Sequence, residues 1–352
     1  MKMVYKWIDQ IQFVSGYKRG VLYDLPRREH HLVPKNLDLL IKKIDGSCNN
    51  DVILSNTEND WLNFLVKNEF IFKIPAINYE NFSKIDFAWN SPAIITSCVI
   101  EISKNIKQAL SLVDELICKH IVLVCKDNIE IDEIFKINLR DYNFQSIIIY
   151  ADFFSEVKNQ KKIINNIKKN DYVDYVFFSS DKKAKDIDAL SLESNLNENI
   201  KFIVNIETFS ESLSFNNYYN RKLFIGKSGK ISCTYDGSSF LNLTEIKSSN
   251  HLIEIVSNHE FQKYWKVNKD IQDVCKDCEF RYMCIDKRIP YQRSIKEWYH
   301  KKECDYNPYI SKWKNEDDYK SLDECGVISN EYEFSIDHDK INAINKNIWK
   351  SK

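Results

Sequence analysis

The sequence predicts a mixed α/β protein with three structural parts and a short C-terminal tail. Near the N-terminus, a hairpin, two helices and a strand follow one another. From Ser91 onward, short apolar strands alternate with helices, which is typical of parallel α/β structure. Four cysteines then gather in the segment from Cys275 to Cys304. A chain of 352 residues suits two or three domains, and we expect domains at 1–78, 79–215 and 216–322, with a tail at 323–352.

Charge and composition disfavour several classes of protein. Fifty basic and 51 acidic residues give a formal net charge of -1, so no strong field favours a nucleic acid or an anionic membrane as partner. The first 14 residues are broken by charges and do not resemble a signal peptide, and no apolar run approaches about 18 residues. We therefore expect a cytoplasmic protein, in which ten cysteines are more typical of metal binding than of disulfides.

The first 78 residues predict a small winged-helix-like domain. Residues 7–25 alternate apolar and polar stretches around two glycines, which is typical of a β-hairpin, and the strands within 11–25 should offer a sheet edge. One helix should begin after Asn36 and a second after Ser55 or Thr57, and a strand should follow in E-F-I-F-K-I. The residues expected on the buried helix faces share helical spacing: Leu37, Leu40, Ile41, Ile44, Trp61, Leu62, Leu65 and Val66.

The middle of the chain predicts a parallel α/β domain. Strands are expected in A-I-I-T-S-C-V-I, H-I-V-L-V-C, S-I-I-I-Y, Y-V-D-Y-V-F-F and K-F-I-V-N-I, and one of the intervening helices in V-K-N-Q-K-K-I-I-N-N-I-K-K. Short β-branched strands of this kind are typical of a sheet that is covered on both faces. Cys98, Cys118 and Cys125 lie inside apolar runs, where a cysteine is usually a small buried side chain.

Residues 218–265 lead from this domain to the cysteine segment. Glycines between alternating apolar residues predict a hairpin within 218–243. The amphipathic stretch that follows predicts a helix with Ile255, Phe261 and Trp265 toward the core. His259 on this helix is expected to be a structural histidine rather than a metal ligand, because the cysteines downstream already complete a four-coordinate site.

The cysteine segment predicts a metal centre. Cys275, Cys278 and Cys284 have C-x2-C-x5-C spacing, and Cys304 follows twenty residues later. Four thiolates complete either a tetrahedral zinc site or one iron–sulfur cubane, and spacing alone does not separate the two. The aromatic residues after Cys304 are expected to pack over the centre and exclude water. They are Tyr306, Tyr309 and Trp313, together with Pro308.

Two charged residues inside this segment invite a functional interpretation. Arg281 could donate to a cluster sulfide or to a peptide carboxylate, with Glu279 orienting it. Alternatively, the two form an ordinary ion pair that supports the cysteine loop, because metal ligands commonly need such ordering.

The segments C-K-D-C-E-F-R-Y-M-C-I-D and C-D-Y-N-P-Y resemble the SPASM domain, the C-terminal cluster-binding module of radical S-adenosylmethionine enzymes that modify peptides. They resemble in particular the SPASM protein of grasp-with-spasm peptide maturation systems. The resemblance implies that Cys275, Cys278, Cys284 and Cys304 hold one 4Fe-4S cluster. A second cluster would need a cysteine where this chain has Arg288, and upstream only Cys233 remains. One cluster is therefore predicted.

The resemblance also implies a partial (β/α) barrel of the radical S-adenosylmethionine type over 79–215, preceded by a peptide recognition element. Such enzymes need C-x3-C-x2-C in the loop after the first barrel strand. This chain has only Cys98 there, within the predicted strand, and no such motif elsewhere. S-adenosylmethionine is therefore not expected as a cofactor, and whether the protein catalyses a reaction itself stays open.

The function that the resemblance implies is maturation of a ribosomally synthesised precursor peptide, which this protein would bind or present to a partner ATP-grasp ligase. In the competing interpretation, residues 1–78 only cap the next domain, and the four cysteines hold zinc in a non-catalytic scaffold or interaction protein. A DNA-binding winged helix fits less well, because this region has too few cations for a phosphate-contacting face.

Overall fold

The computed structural model describes most of the chain, and its contacts divide it into two units. The described residues are 2–48, 52–82, 84–151, 173–178, 200–235 and 237–349. One unit, which we call the cysteine unit, is built from Met1–Trp89, Lys201–Ser214 and Val267–Lys352. The other, which we call the sheet unit, consists of Asn90–Ile200 and Phe215–Lys266. These units group the chain differently from the expected domains, because the cysteine unit joins the N-terminal region to the cysteine segment.

The N-terminal part of the cysteine unit contains two small sheets and two helices. Its elements are β1 (Met3–Trp7), β2 (Ile11–Ser15), β3 (Gly20–Asp24), β4 (Glu29–Val33), α1 (Leu37–Ile44), α2 (Asn56–Lys67) and β5 (Ile71–Pro75). β2, β3 and β4 form an antiparallel sheet in that order, and β1 pairs with β5. The hairpin, helix, helix and strand expected here are β2–β3, α1, α2 and β5. The winged-helix assignment stays a prediction.

Burial of the two helices follows their apolar spacing. All four apolar residues expected on the inner face of α1 are buried. α2 begins at a capping box in which Ser55 and Glu58 each accept from the backbone amide of the other. Leu62 and Leu65 of α2 are buried, whereas Val66, expected on the same face, is 45% exposed. Val66 lies about 100° around the helix from Leu65, which turns it toward solvent.

The next region of the chain forms the sheet unit, except for one segment that belongs to the cysteine unit. Its elements are β6 (Ser97–Glu101), α3 (Ile106–Glu115), β7 (His120–Cys125), α4 (Asn128–Phe135), β8 (Ser146–Ala151), β9 (Tyr175–Phe178), β10 (Ile200–Phe202), α5 (Ile206–Ser212), β11 (Lys222–Ile225), β12 (Lys230–Ser232), β13 (Leu241–Asn242) and α6 (Ser249–Val256). α5 and most of β10 belong to the cysteine unit. The helix expected at 157–169 lies outside the described residues.

The sheet unit is built on one seven-stranded sheet with the order β13-β12-β11-β6-β7-β8-β9. The five strands from β11 to β9 are parallel, and β12 and β13 continue the sheet antiparallel. Cys98, Cys118 and Cys125 are fully buried beside these strands, as small apolar side chains are expected to be. The described strands form an open sheet, and the partial barrel stays a prediction. None of the described helices is long and apolar enough to cross a lipid bilayer.

The C-terminal part of the cysteine unit is a series of short hairpins closed by a helix. Its elements are β14 (Cys284–Asp286), β15 (Tyr291–Ser294), β16 (Glu297–Tyr299), β17 (Tyr306–Asn307), β18 (Lys312–Trp313), β19 (Val327–Ser329), β20 (Phe334–Ile336) and α7 (His338–Ile348). β14 pairs with β10, and the other strands pair as β15–β16, β17–β18 and β19–β20. The strand expected in K-F-I-V-N-I therefore joins the cysteine segment, outside the large sheet.

The region expected to be a C-terminal tail packs onto the cysteine unit. Ile341 of α7 is fully buried. The side chain of Asn345 donates to the carbonyl of Tyr309 at 2.9 Å. The indole of Trp349 donates to the carbonyl of Ile310 at 3.0 Å. Helix α7 thus satisfies two backbone carbonyls of the turn that joins β17 to β18.

The N-terminal sheet and the cysteine segment share one hydrophobic core. Val14 and Tyr23 pack in the same cluster as Phe280 and Met283. The Tyr23 hydroxyl donates to the carbonyl of Glu279 at 2.5 Å. Because these contacts supply part of the core on both sides, a fragment limited to residues 1–78 would leave apolar surface without its partner.

Gly16, at the start of the β2–β3 turn, lies too close to the cysteine loop for a side chain. A Cβ at this position would approach the backbone nitrogen of Glu279 to 2.7 Å. We expect Gly16→Ala to push the hairpin away from the loop and to lower the free energy of unfolding by about 1–3 kcal/mol. Urea unfolding of the full chain measures this change.

Gly226 supplies the matched control for this substitution. It also lies in a hairpin turn, but a Cβ there would meet its nearest atom at 3.7 Å, which is ordinary contact. Gly226→Ala should leave the unfolding midpoint nearly unchanged. Equal effects of the two substitutions would contradict the close approach at Gly16.

Candidate metal centre

The four cysteines of the predicted centre come from one loop, one strand start and one distant turn. Cys275 opens a 3-10 turn that ends at Asp277, and Cys278 follows it directly. Cys284 is the first residue of β14, and Cys304 lies two residues before β17. Cys275 and Cys284 are buried, Cys278 and Cys304 are partly buried, and none of the four forms a disulfide.

The four thiols form one electrostatic group. Burial, with the nearby charges of Glu279, Cys284 and Cys304, raises the pKa of Cys278 well above its ordinary value. Burial also raises the pKa of Cys304 to about 12, and Cys275 contributes to this rise. Each thiol therefore lies within electrostatic range of others in the set. Such thiols ionise only when a cation compensates the charge, and a bound metal supplies that compensation.

The backbone before Cys275 is held in an unusual conformation. Val274 has a φ of 65°, a left-handed conformation that a β-branched residue rarely adopts. The amide of Cys275 donates to the carbonyl of Asp273 at 2.6 Å, and the amide of Cys278 donates to the carbonyl of Cys275 at 3.0 Å. Conformations of this kind cost about 1–3 kcal/mol and cluster at functional sites.

Two cations, one buried and one partly buried, lie beside the thiols. Lys269 is 5% exposed, and its Nζ lies 3.6 Å from a carboxylate oxygen of Asp286. Arg288 contacts the same carboxylate at 2.6 Å. Although burial opposes its charge, Asp286 and the thiols of Cys284 and Cys275 hold the pKa of Lys269 above its ordinary value. Two cations against one carboxylate leave a positive charge, which an anionic metal–thiolate centre would neutralise.

Two N–H groups point at sulfur atoms of the set. The amide of Tyr306 donates to Cys304 Sγ at 3.3 Å. Arg288 Nη2 lies 3.9 Å from Cys275 Sγ. Hydrogen bonds of this type stabilise thiolates and tune the reduction potential of iron–sulfur clusters.

Aromatic side chains cover the side of the site formed by Cys278 and Cys304. Phe280 and Tyr306 lie 5.0 Å apart, and Tyr306 and Trp313 lie 4.9 Å apart, measured between ring centroids. Both cysteines pack against this cluster. Tyr306 and Trp313 thus pack beside two of the cysteines, and their covering of a metal centre stays a prediction. Tyr309 belongs to a different cluster with Ile310 and Ile341.

The expected pairing of Arg281 with Glu279 is wrong. Arg281 Nε donates to Asp270 at 3.0 Å, and its Nη1 donates to the carbonyl of Cys278, also at 3.0 Å. Glu279 instead accepts from Arg19 Nε at 2.6 Å. Packing against the N-terminal hairpin, which the local sequence does not reveal, selects these partners. Arg281 supports the cysteine loop through a backbone carbonyl.

A second donor group overlaps the site. Cys275, Asp286 and His300 place one ligand atom each within 4.8 Å of one another. His300 Nε2 lies 2.7 Å from Gln272 Oε1, and burial lowers the pKa of His300 to about 3. Asp286 already contacts Arg288 and Lys269. A single cation here would displace the hydrogen bond of His300 and lie beside two positive charges, so this group is a poor mononuclear site.

A cavity of about 150 Å³ adjoins the thiols. Cys275 and Cys304 line it, together with Arg288, His300 and Ser329. Lys301, Lys302 and Glu303 are exposed residues at its wall. A metal centre on the four cysteines would therefore face this polar cavity on the side of Cys275 and Cys304.

Sequence reasoning missed the charged residues around the thiols. The run D-K-R after the third cysteine, which includes Asp286 and Arg288, was the available signal, whereas nothing near Lys269 marked it as buried. His259 is not part of the site, because its side chain is 94% exposed. Cys233 is buried within the sheet unit.

Comparison with protein-family models, curated proteins and solved structures finds no match for this chain.

Proposed function

We propose that the protein holds one iron–sulfur cluster on Cys275, Cys278, Cys284 and Cys304 and takes part in the maturation of a ribosomally synthesised peptide. The observation that carries the metal centre is the gathering of buried or partly buried thiols beside two cations. Lys269 is buried near Cys275 and Cys284, and Arg288 is partly buried near Cys275 and Cys304.

Sulfur spacing favours a cluster over a single zinc ion. Four thiolates around one zinc lie ~3.8 Å apart, because Zn–S bonds measure about 2.3 Å in a tetrahedron. Among the described residues, the group that places three donor atoms within 4.8 Å is Cys275, Asp286 and His300, and no three of the four thiols meet that spacing. A cubane holds its thiolates further apart, because iron and sulfide atoms lie between them.

Electrostatics also supports a metal centre on these thiols. Four thiolates outweigh the charge of the metal core, so such a centre is anionic. The side chains of Lys269 and Arg288 lie close to three of the thiols and would compensate this charge. A buried ion stabilises a site only when it is paired. The two cations thus have a partner when the centre is assembled.

Peptide binding is proposed for the N-terminal sheet. β4 ends the sheet β2-β3-β4, and no other described strand pairs with its outer edge. An extended peptide can add to such an edge through backbone hydrogen bonds, with pockets selecting side chains. β4 suits this role better than β2, because the Ser15 carbonyl at the end of β2 already accepts from Arg281. The partner that acts on the bound peptide is proposed to be an ATP-grasp ligase, on the strength of the SPASM resemblance.

Loss of one ligand tests the metal centre. We expect Cys278→Ser and Cys304→Ser to strip the metal and to destabilise the cysteine unit, because metal binding in such sites contributes on the order of 10 kcal/mol to folding. Anaerobic reconstitution followed by analysis of iron, acid-labile sulfide and zinc measures the loss. Cys48→Ser, a change at a partly buried cysteine outside the set, is the control.

Two outcomes would count against the proposed centre. Full metal retention in both ligand variants would place the metal elsewhere. A colourless protein with stoichiometric zinc would support the non-catalytic zinc scaffold instead.

Absence of radical chemistry is a separate expectation. We propose no S-adenosylmethionine site, because Cys98 lies inside β6 and is fully buried. Reconstituted protein mixed with S-adenosylmethionine and a strong reductant should release no 5′-deoxyadenosine above background. Steady, protein-dependent release would show that another ligand set binds the cofactor.

The peptide edge is tested in the full chain, because residues 1–78 share their core with the cysteine segment. The precursor peptide should bind with micromolar affinity, about -8 kcal/mol. Leu32 on β4 is 46% exposed, and we expect Leu32→Lys to weaken binding about tenfold by removing apolar contact. Fluorescence anisotropy of a labelled precursor measures the affinity.

Leu39→Lys on α1 is the matched control, since Leu39 is 62% exposed and lies outside the sheet. Equal binding by both variants would move peptide recognition away from β4. Proline at Val21, on the expected edge, is unsuitable because β3 is the central strand and Val21 is fully buried.

A further inference from the structure

Glu279 is a carboxylate buried completely inside the cysteine unit. Its Oε1 accepts from Arg19 Nε at 2.6 Å and from the Tyr306 hydroxyl at 2.5 Å. Arg19 Nη2 also donates to the Tyr306 hydroxyl at 3.1 Å. The three side chains come from the β2–β3 turn, the cysteine loop and β17, so this network joins three parts of the chain.

Two members of the network adjoin proposed metal ligands. Glu279 follows Cys278 in the sequence. Tyr306 donates its backbone amide to Cys304 Sγ at 3.3 Å. A displacement of Glu279 or Tyr306 therefore moves the backbone next to a ligand. Arg19, which contacts both, belongs to the N-terminal hairpin and is no ligand itself.

Backbone contacts reinforce this attachment. The amide of Tyr17 donates to the carbonyl of Asp277 at 2.7 Å. The Tyr23 hydroxyl donates to the carbonyl of Glu279 at 2.5 Å. The β2–β3 hairpin thus contacts both residues that flank Cys278.

We propose that Arg19, Glu279 and Tyr306 form a positioning network through which the N-terminal sheet holds Cys278 and Cys304 in place for the metal. The proposal rests on the metal centre proposed above. Arg19 also neutralises the Glu279 carboxylate, which would otherwise lie unpaired next to an anionic centre, and an unpaired buried charge is strongly destabilising. Through this network, a movement of the N-terminal sheet, which carries the proposed peptide edge, would also move the loop that carries the proposed ligands.

Substitution of Arg19 in the full chain tests the network. After anaerobic reconstitution with iron and sulfide, we expect Arg19→Ala to retain metal about 10- to 100-fold less well against a chelator, which is the usual effect of losing a residue that orients ligands. Arg19→Lys keeps the charge and should recover part of the loss. The visible and electron paramagnetic resonance spectra should shift in Arg19→Ala and return toward the parent in Arg19→Lys.

Arg27→Ala is the matched control. Arg27 also belongs to the N-terminal sheet region and pairs with Asp24 and Glu69, but it contacts no residue of the cysteine segment in the described ion pairs and hydrogen bonds. It should release metal at the parent rate. Equal losses of metal in Arg27→Ala and Arg19→Ala would show that the effect of Arg19→Ala is general destabilisation. That result would contradict the proposed network.

Amide hydrogen exchange of residues 275–284 in the metal-free protein separates this inference from the metal centre. Faster exchange in Arg19→Ala than in the parent and in Arg27→Ala supports the network even if the parent binds no metal, in which case the proposed centre alone fails. Metal binding in the parent with unchanged exchange and unchanged retention in Arg19→Ala overturns the network and leaves the centre standing.

Discussion

Thiols that lie together inside a protein ionise only when positive charge compensates them, and a bound metal or neighbouring cations can supply that charge. In this protein Lys269 and Arg288 lie beside the thiols of the cysteine segment, and the carboxylate of Asp286 contacts both cations. The arrangement has little reason to exist in an apolar core, because each buried ion carries a desolvation penalty. The anionic metal–thiolate centre proposed above would give these ions a common partner.

The cysteine unit draws on distant parts of the chain for its hydrophobic core. Short hairpins such as β15–β16 and β19–β20 bury little apolar surface by themselves. The N-terminal sheet contributes Val14 and Tyr23 to the core behind the cysteine loop. Ile341 of α7 contributes to a separate cluster around Tyr309 and Ile310. β10 adds a strand beside β14. The ligand loop is therefore supported by residues that lie far from it in the sequence.

This organisation places the residues of both proposed sites in one unit. The β4 edge and the four cysteines of the proposed metal centre lie in one unit, in which the β2–β3 hairpin and the Arg19–Glu279 ion pair connect the sheet to the cysteine loop. The polar cavity beside Cys275 and Cys304 adjoins the proposed centre.

Local patterns in the sequence were sufficient for several features. The hairpin, α1 and α2 follow from apolar spacing, and the strands of the large sheet follow from short β-branched runs, since period and propensity act over a few residues. Val66 faces solvent against expectation, because a run of neighbouring apolar residues does not by itself define which of them face the core. Cysteine spacing likewise indicates that Cys275 and Cys278 lie close together, because the turn between them is encoded locally.

Tertiary structure decided which groups surround those ligands. Glu279 pairs with Arg19, and Arg281 pairs with Asp270, although Glu279 and Arg281 are close in sequence. Lys269 is buried only because distant segments enclose it. The sequence by itself determined the cysteine set and most helices and strands, which depend on local periodicity. The partners of the buried charges, and the union of the N-terminal sheet with the cysteine loop, depend on packing between segments far apart in the chain, and only the folded structure sets that packing.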